Sequence, residues 1–358
     1  MKRLTPVMQT TIYKQSNWFV VVLFFSSILS SLHSQDIHFS QFFTTPLANN
    51  AAHTGNFNGN YRIGFNAKLQ WPALTTTGTY TYHTESPYVD FSFGEKKIKT
   101  GWMGLGLNFL NDEAGDGRLR FQRIGLSYAY HQALDKDQRY VISAGAGLHY
   151  IIRSVDFSKF YFNNQWIEDQ GFDLSQSNFE PLQRESFSMV DVNAGLQFAA
   201  QVNDFVRLQA GASVLHINRP KQSFLGTSER LGLRYQAQAG ALYNINERLS
   251  VTLDFYYTFE KRASQFQLAS LVGYGFVNNR SSVASHVLLA GLSYRVKDAL
   301  APVVGYQFKS NRIMLSYDIT LSKLSQGNRL NGGPEISLVH VGKWTREFNG
   351  KKVFCPKF

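Results

Sequence analysis

The stretch MVDVNAGLQFAA, residues 189–200, places Val190, Val192, Ala194, Leu196, Phe198 and Ala200 on one face and Met189, Asp191, Asn193, Gly195 and Gln197 on the other. That period of two defines a strand with one apolar and one polar face. It also leaves two architectures open. In a soluble sandwich the apolar face is the core, whereas in a transmembrane barrel it meets lipid. The pattern recurs. In RLSVTLDFYYTFE, Leu249, Val251, Leu253, Phe255, Tyr257 and Phe259 oppose Ser250, Thr252, Asp254, Tyr256, Thr258 and Glu260. In NRIMLSYDIT, Ile313, Leu315, Tyr317 and Ile319 oppose Arg312, Met314, Ser316 and Asp318. Sandwich strands seldom reach ten to thirteen residues, and a tilted membrane strand needs about that length.

Alternating segments punctuated by turns predict strands at 61–70, 77–85, 101–110, 121–132, 138–152, 188–200, 205–214, 231–245, 248–259, 264–276, 284–296, 301–309, 311–320 and 334–343. That is an even number, as in bacterial single-chain barrels. The expected fold is therefore all-β, an outer-membrane barrel of about fourteen antiparallel strands over residues 61–343. Short connections such as VNDF, NER and KSN alternate with long ones at 153–188, 215–230 and 321–333. This implies periplasmic N- and C-termini, although a long link at 86–100 and a brief KDAL break the rhythm. Aromatic residues at 15% and 28 glycines suit such a barrel. The excess positive charge, +11, contains no basic run of the kind that binds nucleic acid.

The first 34 residues have a basic start followed by the apolar WFVVVLFFSSILSS, which reads as a secretory signal peptide cut after Ser34. Residues 35–60 are polar, aromatic and not strand-like. Phe39, Phe42 and Phe43 would be exposed there unless the segment plugs the lumen or its periplasmic mouth, the alternative being a loose leader. Residues 344–358 form a basic periplasmic tail holding the only cysteine, Cys355. The polar strand faces put Asp191, Asn193, Gln197, Arg207, Arg234, Asp254, Arg312 and Asp318 in the lumen. The long loop carries Asp156, Phe157, Lys159, Tyr161, Phe162 and Trp166, a set suited to partner contact or to a self-packed lid. NDEAGDG at 111–117 is a hairpin turn through Asp116-Gly117 rather than a calcium loop, because it lacks the EF-hand spacing. No catalytic motif, metal-ligand spacing or cofactor loop is present, so neither a catalytic residue nor a cofactor is expected.

QDIHFSQFFTTPLANNAAHTG, GLGLNFLNDEAGDGRLRFQRIGLSYAYH, GAGLHYIIRSVDFSKF, GYQFKSNRIMLSYDITLSKLSQGNRLNGGPEISL and CPKF together resemble the PorP/SprF outer-membrane proteins of the type IX secretion system. The resemblance spans nearly the whole chain after Gln35, departing at Ala48-Asn49-Asn50 and at 162–187. It implies a non-enzymatic barrel serving secretion or surface anchoring of a cargo protein such as a large gliding adhesin. The implied partners are that cargo, type IX or periplasmic envelope components, and outer-membrane lipid. The rival reading is a porin or small-molecule transporter whose channel is lined by the lumen residues above.

Overall fold

The computed structural model describes residues 37–72, 82–95, 98, 100–115, 117–173, 175–177, 185–224, 229–261, 263–276 and 285–344. The expected signal peptide, Asp116 and the tail beyond Trp344 lie outside the described residues. The strands are β1 Tyr61–Leu69, β2 His83–Phe93, β3 Gly101–Ala114, β4 Leu119–Ala133, β5 Tyr140–Ser154, β6 Trp166–Ile167, β7 Gly171–Phe172, β8 Ser186–Gln201, β9 Val206–Leu215, β10 Arg234–Asn244, β11 Leu249–Glu260, β12 Ala263–Phe276, β13 His286–Arg295, β14 Ala299–Phe308, β15 Asn311–Thr320 and β16 Asn331–Gly342. Each strand except β6 and β7 pairs antiparallel with its sequence neighbours. β5 meets β8, and β1 meets β16 to close a fourteen-stranded barrel. β6 and β7 make a separate two-stranded hairpin inside the long loop. Closure leaves no free edge strand, so the wall's backbone groups are paired mainly within the wall.

Alternation fixes which face is which. In β8, Val190, Leu196 and Phe198 are exposed, whereas Asp191, Asn193 and Gln197 are buried. This is the arrangement of a membrane barrel and the inverse of a sandwich. Exposed rings form two bands on the outer face. Tyr130, Tyr140, Phe198, Tyr243, Tyr274 and Tyr306 lie toward the end where β1 begins and β16 finishes. Tyr150, Tyr235, Tyr257, Phe259, Tyr294 and Tyr317 lie toward the opposite, loop end. Exposed leucines and isoleucines such as Leu107, Leu126, Leu148, Leu253 and Leu292 fill the band between. Aromatic girdles flanking an aliphatic belt are what two membrane interfaces select.

The second strand corrects the sequence expectation. It runs His83–Phe93 rather than 77–85. Thr and Tyr alternate through 75–82 and read as strand, while Pro87 argues against one. In the barrel Pro87 stands on the outward face of β2, where Ser86 and Tyr88 on either side point inward. With β2 in place, the link to β3 shrinks to 94–100, and the rhythm of short turns at that end is regained.

Candidate functional site

The segment IHFSQFFTTPLANNAAHTGNFNGN precedes β1 and cannot form a long helix or strand. Its Thr, Asn and Gly residues compete for their own backbone. It folds into three tight turns: Phe42–Thr44, then Pro46–Asn49 with proline in the first turn, then Ala51–His53, where the Asn50 side chain accepts from the Ala52 amide at 2.9 Å. These turns contact walls on opposite sides of a closed barrel, which is possible only inside the lumen. The chain enters at the loop end near Ile37 and reaches the other end at Asn60, whose amide donates to the Gly342 carbonyl at 2.8 Å. Residues 37–60 thus traverse the barrel interior, so Ile37 and Trp344 lie at opposite ends of it, against the expectation of two termini on the periplasmic side.

Three kinds of contact hold them. The first is ionic. At the loop end Asp318 is held by Lys68 at 3.0 Å and by Arg295 at 2.8 Å, and Arg295 also pairs with Asp298. The Ser40 and Gln41 amides donate to the two Glu335 oxygens at 2.8 and 2.9 Å. Ser40 Oγ donates to Asp318 and accepts from Arg295 at 2.9 Å. Ser337 and Ser316 hold the Gln41 side chain. Lys68, Asp318, Glu335 and Arg295 are all buried, so the plug completes the partner set that buried charges require.

The second kind is apolar. Phe42 packs with Tyr256 and Ala269, and Phe43 against the cluster of Leu271, Val303 and Met314. Phe39 is buried as well. The inner wall here is apolar, so the lumen is not polar throughout as strict alternation predicts. Burying one phenylalanine contributes about 1.5–3 kcal/mol.

The third is close backbone approach. A Cβ on Gly104 of β3 would stand 2.9 Å from Gly55 Cα, and one on Gly145 of β5 would stand 2.5 Å from Ala51 O and Ala52 N. Gly55 itself has φ +74°, a conformation that glycine alone adopts freely. Around these seats His131 Nε2 meets the Thr54 carbonyl at 2.8 Å, and Trp102 Nε1 donates to the Gly55 carbonyl at 3.0 Å. The Gly55 amide donates to Asp90 at 2.7 Å, and Arg62 pairs with the same carboxylate at 2.7 Å. Gly106 of β3 likewise faces the Leu47 and Thr54 side chains, so Gly104, Gly106 and Gly145 all make room for the plug.

Two plug histidines sit in this interior. Burial pushes His53 down to about 4, helped by Arg62 and opposed by its bond to Gln238. Burial, with Arg295 and Lys68 alongside, holds His38 well below its ordinary value. Both are neutral near pH 7.

The expected lumen residues fall into separate groups. Gln197 binds Asn56 of the plug at 2.9 Å, and Asp318 joins the ionic cluster. Asp191 pairs with His216 at 2.9 Å and lies 3.6 Å from His149, which is also near Asn193. Arg234 pairs with Glu260 and Arg312 bonds Gln307. Arg207 and Asp254 occupy inward, half-buried positions on β9 and β11. Lys68, Glu335, Arg295, Trp102 and His131 also line this interior, and their only signal in the sequence is an inward position on an alternating strand.

The loop residues also divide. Asp156 caps the turn Phe157–Lys159 by accepting from the Ser158 amide at 3.2 Å, and Phe157 and Phe162 pack on Phe160. Lys159 is exposed. Tyr161 and Trp166 are 64% and 56% exposed and meet Phe172, itself 45% exposed, at ring distances of 5.1 and 4.9 Å. Phe172 extends the surface the sequence suggested. Among the described residues no group of three or more His, Cys, Asp or Glu side chains is arranged to hold a metal ion.

The model of one family, described as Type IX secretion system membrane protein PorP/SprF, matches residues 31–339. No curated protein matches the chain. Among solved structures it is similar to the Ralstonia pickettii toluene transporter TbuX, at 12% identity over 82% of this chain and 92% of that one, TM-score 0.46. It is similar to a Pseudomonas aeruginosa FadL homologue at 11% identity over 81% and 97%, TM-score 0.45. It is also similar to the P. putida toluene transporter TodX at 12% identity over 83% and 93%, TM-score 0.44.

Proposed function

The chain belongs to the PorP/SprF family of type IX secretion system membrane proteins, and we propose that it is a plugged, non-enzymatic outer-membrane scaffold that retains a secreted cargo protein at its loop end. The observation that carries this reading is the filled lumen. A barrel whose interior is occupied along its length by its own residues 37–60, through ionic, apolar and backbone contacts together, is built to hold its shape rather than to conduct. With the loop end outward, the Tyr161–Trp166–Phe172 cluster faces the medium. Exposed aromatic clusters favour protein contact because rings bury much area at little entropic cost. In this arrangement β1 begins and β16 finishes at the periplasmic end, where secretion or envelope components would dock. A porin would need the plug displaced.

The test is affinity purification from the native outer membrane in mild detergent, after crosslinking, of the natural chain and of a Tyr161→Ser, Trp166→Ser, Phe172→Ser variant. The expected result is a secreted type IX cargo protein at near-stoichiometric yield with the natural chain and its loss with the variant. A lone barrel from both, or equal recovery of cargo from both, contradicts the proposal.

A further inference from the structure

Beside the first turn of the plug, the loop end of the lumen retains a cavity of about 70 Å³. One water needs roughly 10–15 Å³ of such space, so the cavity admits a carboxylate together with part of an apolar body. It opens between Phe39, Phe42 and Thr45 of the plug and the inner faces of β4, β5, β10, β11 and β12. Its apolar wall includes Phe121, Leu215 and Leu231, and its polar wall carries three arginines, Arg123, Arg153 and Arg234.

The three arginines arrive by register. Phe121 and Arg123 are successive inward positions of β4, and Arg153 is the cross-strand partner of Phe121 on β5. Arg234 begins β10 opposite Glu260 of β11. Their states of pairing differ. Glu260 neutralises Arg234 through two bonds to one oxygen, at 2.9 and 2.7 Å. Arg123 is only 7% exposed, and its Nε meets no acceptor among the described residues. Asp191, the carboxylate whose charge it feels, is already engaged by His216 and His149. Arg153 lies 5.2 Å over the Phe121 ring, and its Nε also lacks an acceptor among the described residues. Guanidinium groups withdrawn from water without a hydrogen-bonded anion are costly. Their planar forks match a carboxylate or a phosphate in a way an ammonium does not. Two such forks beside aromatic rings complement an anionic head on an apolar body.

We propose that this vestibule is a binding site for a carboxylate carried on an apolar group, entering from the loop end. The carboxylate either ends a peptide chain or belongs to a free aromatic or aliphatic acid. The site stands on the lumen geometry alone and does not require the cargo role proposed above.

Calorimetric titration of the full chain in detergent tests it with N-acetylphenylalanine as a peptide-end mimic, benzoate as a free acid and N-acetylphenylalaninamide as the uncharged control. The expected result is that at least one acid binds and the amide does not. Arg123→Gln and Arg153→Gln should each weaken the acid roughly tenfold or more, the cost of a lost bond to a charged group. Arg312→Gln, at the other end of the lumen, should leave binding unchanged. Tighter binding of N-acetylphenylalanine assigns the site to a peptide end, and tighter binding of benzoate assigns it to a free acid. Folding of each variant is read from heat-modifiable migration, and the acid-to-amide comparison needs no variant. Absence of binding by both acids at about 10 mM, beyond the weak end of specific recognition, overturns the proposal. So does equal binding of the amide, or binding that both arginine variants leave intact.

Discussion

Replacing Gly145 by alanine puts a methyl group into the seat of the plug. Its carbon would stand 2.5 Å from Ala51 O and Ala52 N, where about 3.5–4.0 Å is comfortable. Both atoms are backbone, and the turn they belong to is pinned on either side. Asn50 Nδ2 donates to the Leu196 carbonyl at 3.1 Å, and His131 holds the Thr54 carbonyl. The turn must therefore move by about 1 Å or leave, and overpacking of this kind costs about 1–3 kcal/mol. At 1.4 kcal/mol per factor of ten, the docked-to-undocked ratio of the segment falls roughly 5- to 150-fold. The wall itself should not suffer, since alanine in a strand is favoured over glycine by about 0.5–1 kcal/mol. The assay is native-state hydrogen exchange at the Ala52 and Thr54 amides, which should speed up by that factor while the central amides of β4 and β5 keep their rates. Gly273→Ala is the control. Its methyl meets the Ser250 hydroxyl at 2.7 Å, a side chain that can rotate away. Unchanged exchange at 52–54, or a matching rise across β4 and β5, would refute the reasoning.

Arg295→Met leaves Asp318 and Asp298 without their shared guanidinium and Ser40 without a donor. Breaking a buried ionic set of this kind costs about 3–5 kcal/mol, which should appear as a lower urea midpoint for the folded chain. Acid should loosen the plug. His53 is held near 4 when docked and returns to 6.5 when released, so the released state binds more protons between those values. Docking stability is then complete above pH 6.5 and declines as pH falls through that window. His38 acts in the same direction. Urea midpoints measured from pH 7 to 4.5 should drop more steeply for the natural chain than for a His38→Gln, His53→Gln variant, and parallel slopes would exclude the histidines as the cause.

The wall was legible in the sequence because barrel alternation is local. β8, β11 and β15 can be read from ten residues each, and their inward and outward sets are those of the structure. Where a local signal misled, as at β2, a proline on the outward face had weakened the pattern and a Thr-Tyr run had imitated it. The plug was half legible. Phe39, Phe42 and Phe43 in a polar stretch demanded cover, but the cover of Phe42 and Phe43 comes from β11 to β15, more than 200 residues away. The ionic cluster is less legible still. Lys68, Arg295, Asp318 and Glu335 are single charges on four strands, and only the closed register places them around Ser40 and Gln41. The glycine seats likewise depend on which strand faces which turn.

If residues 37–60 close the lumen, conductance across a planar lipid bilayer will show it. The full chain should give no steady conductance, and channel openings should occur only when the seats are filled, as in a Gly104→Ala, Gly145→Ala variant. A steady open channel from the unaltered chain would contradict it.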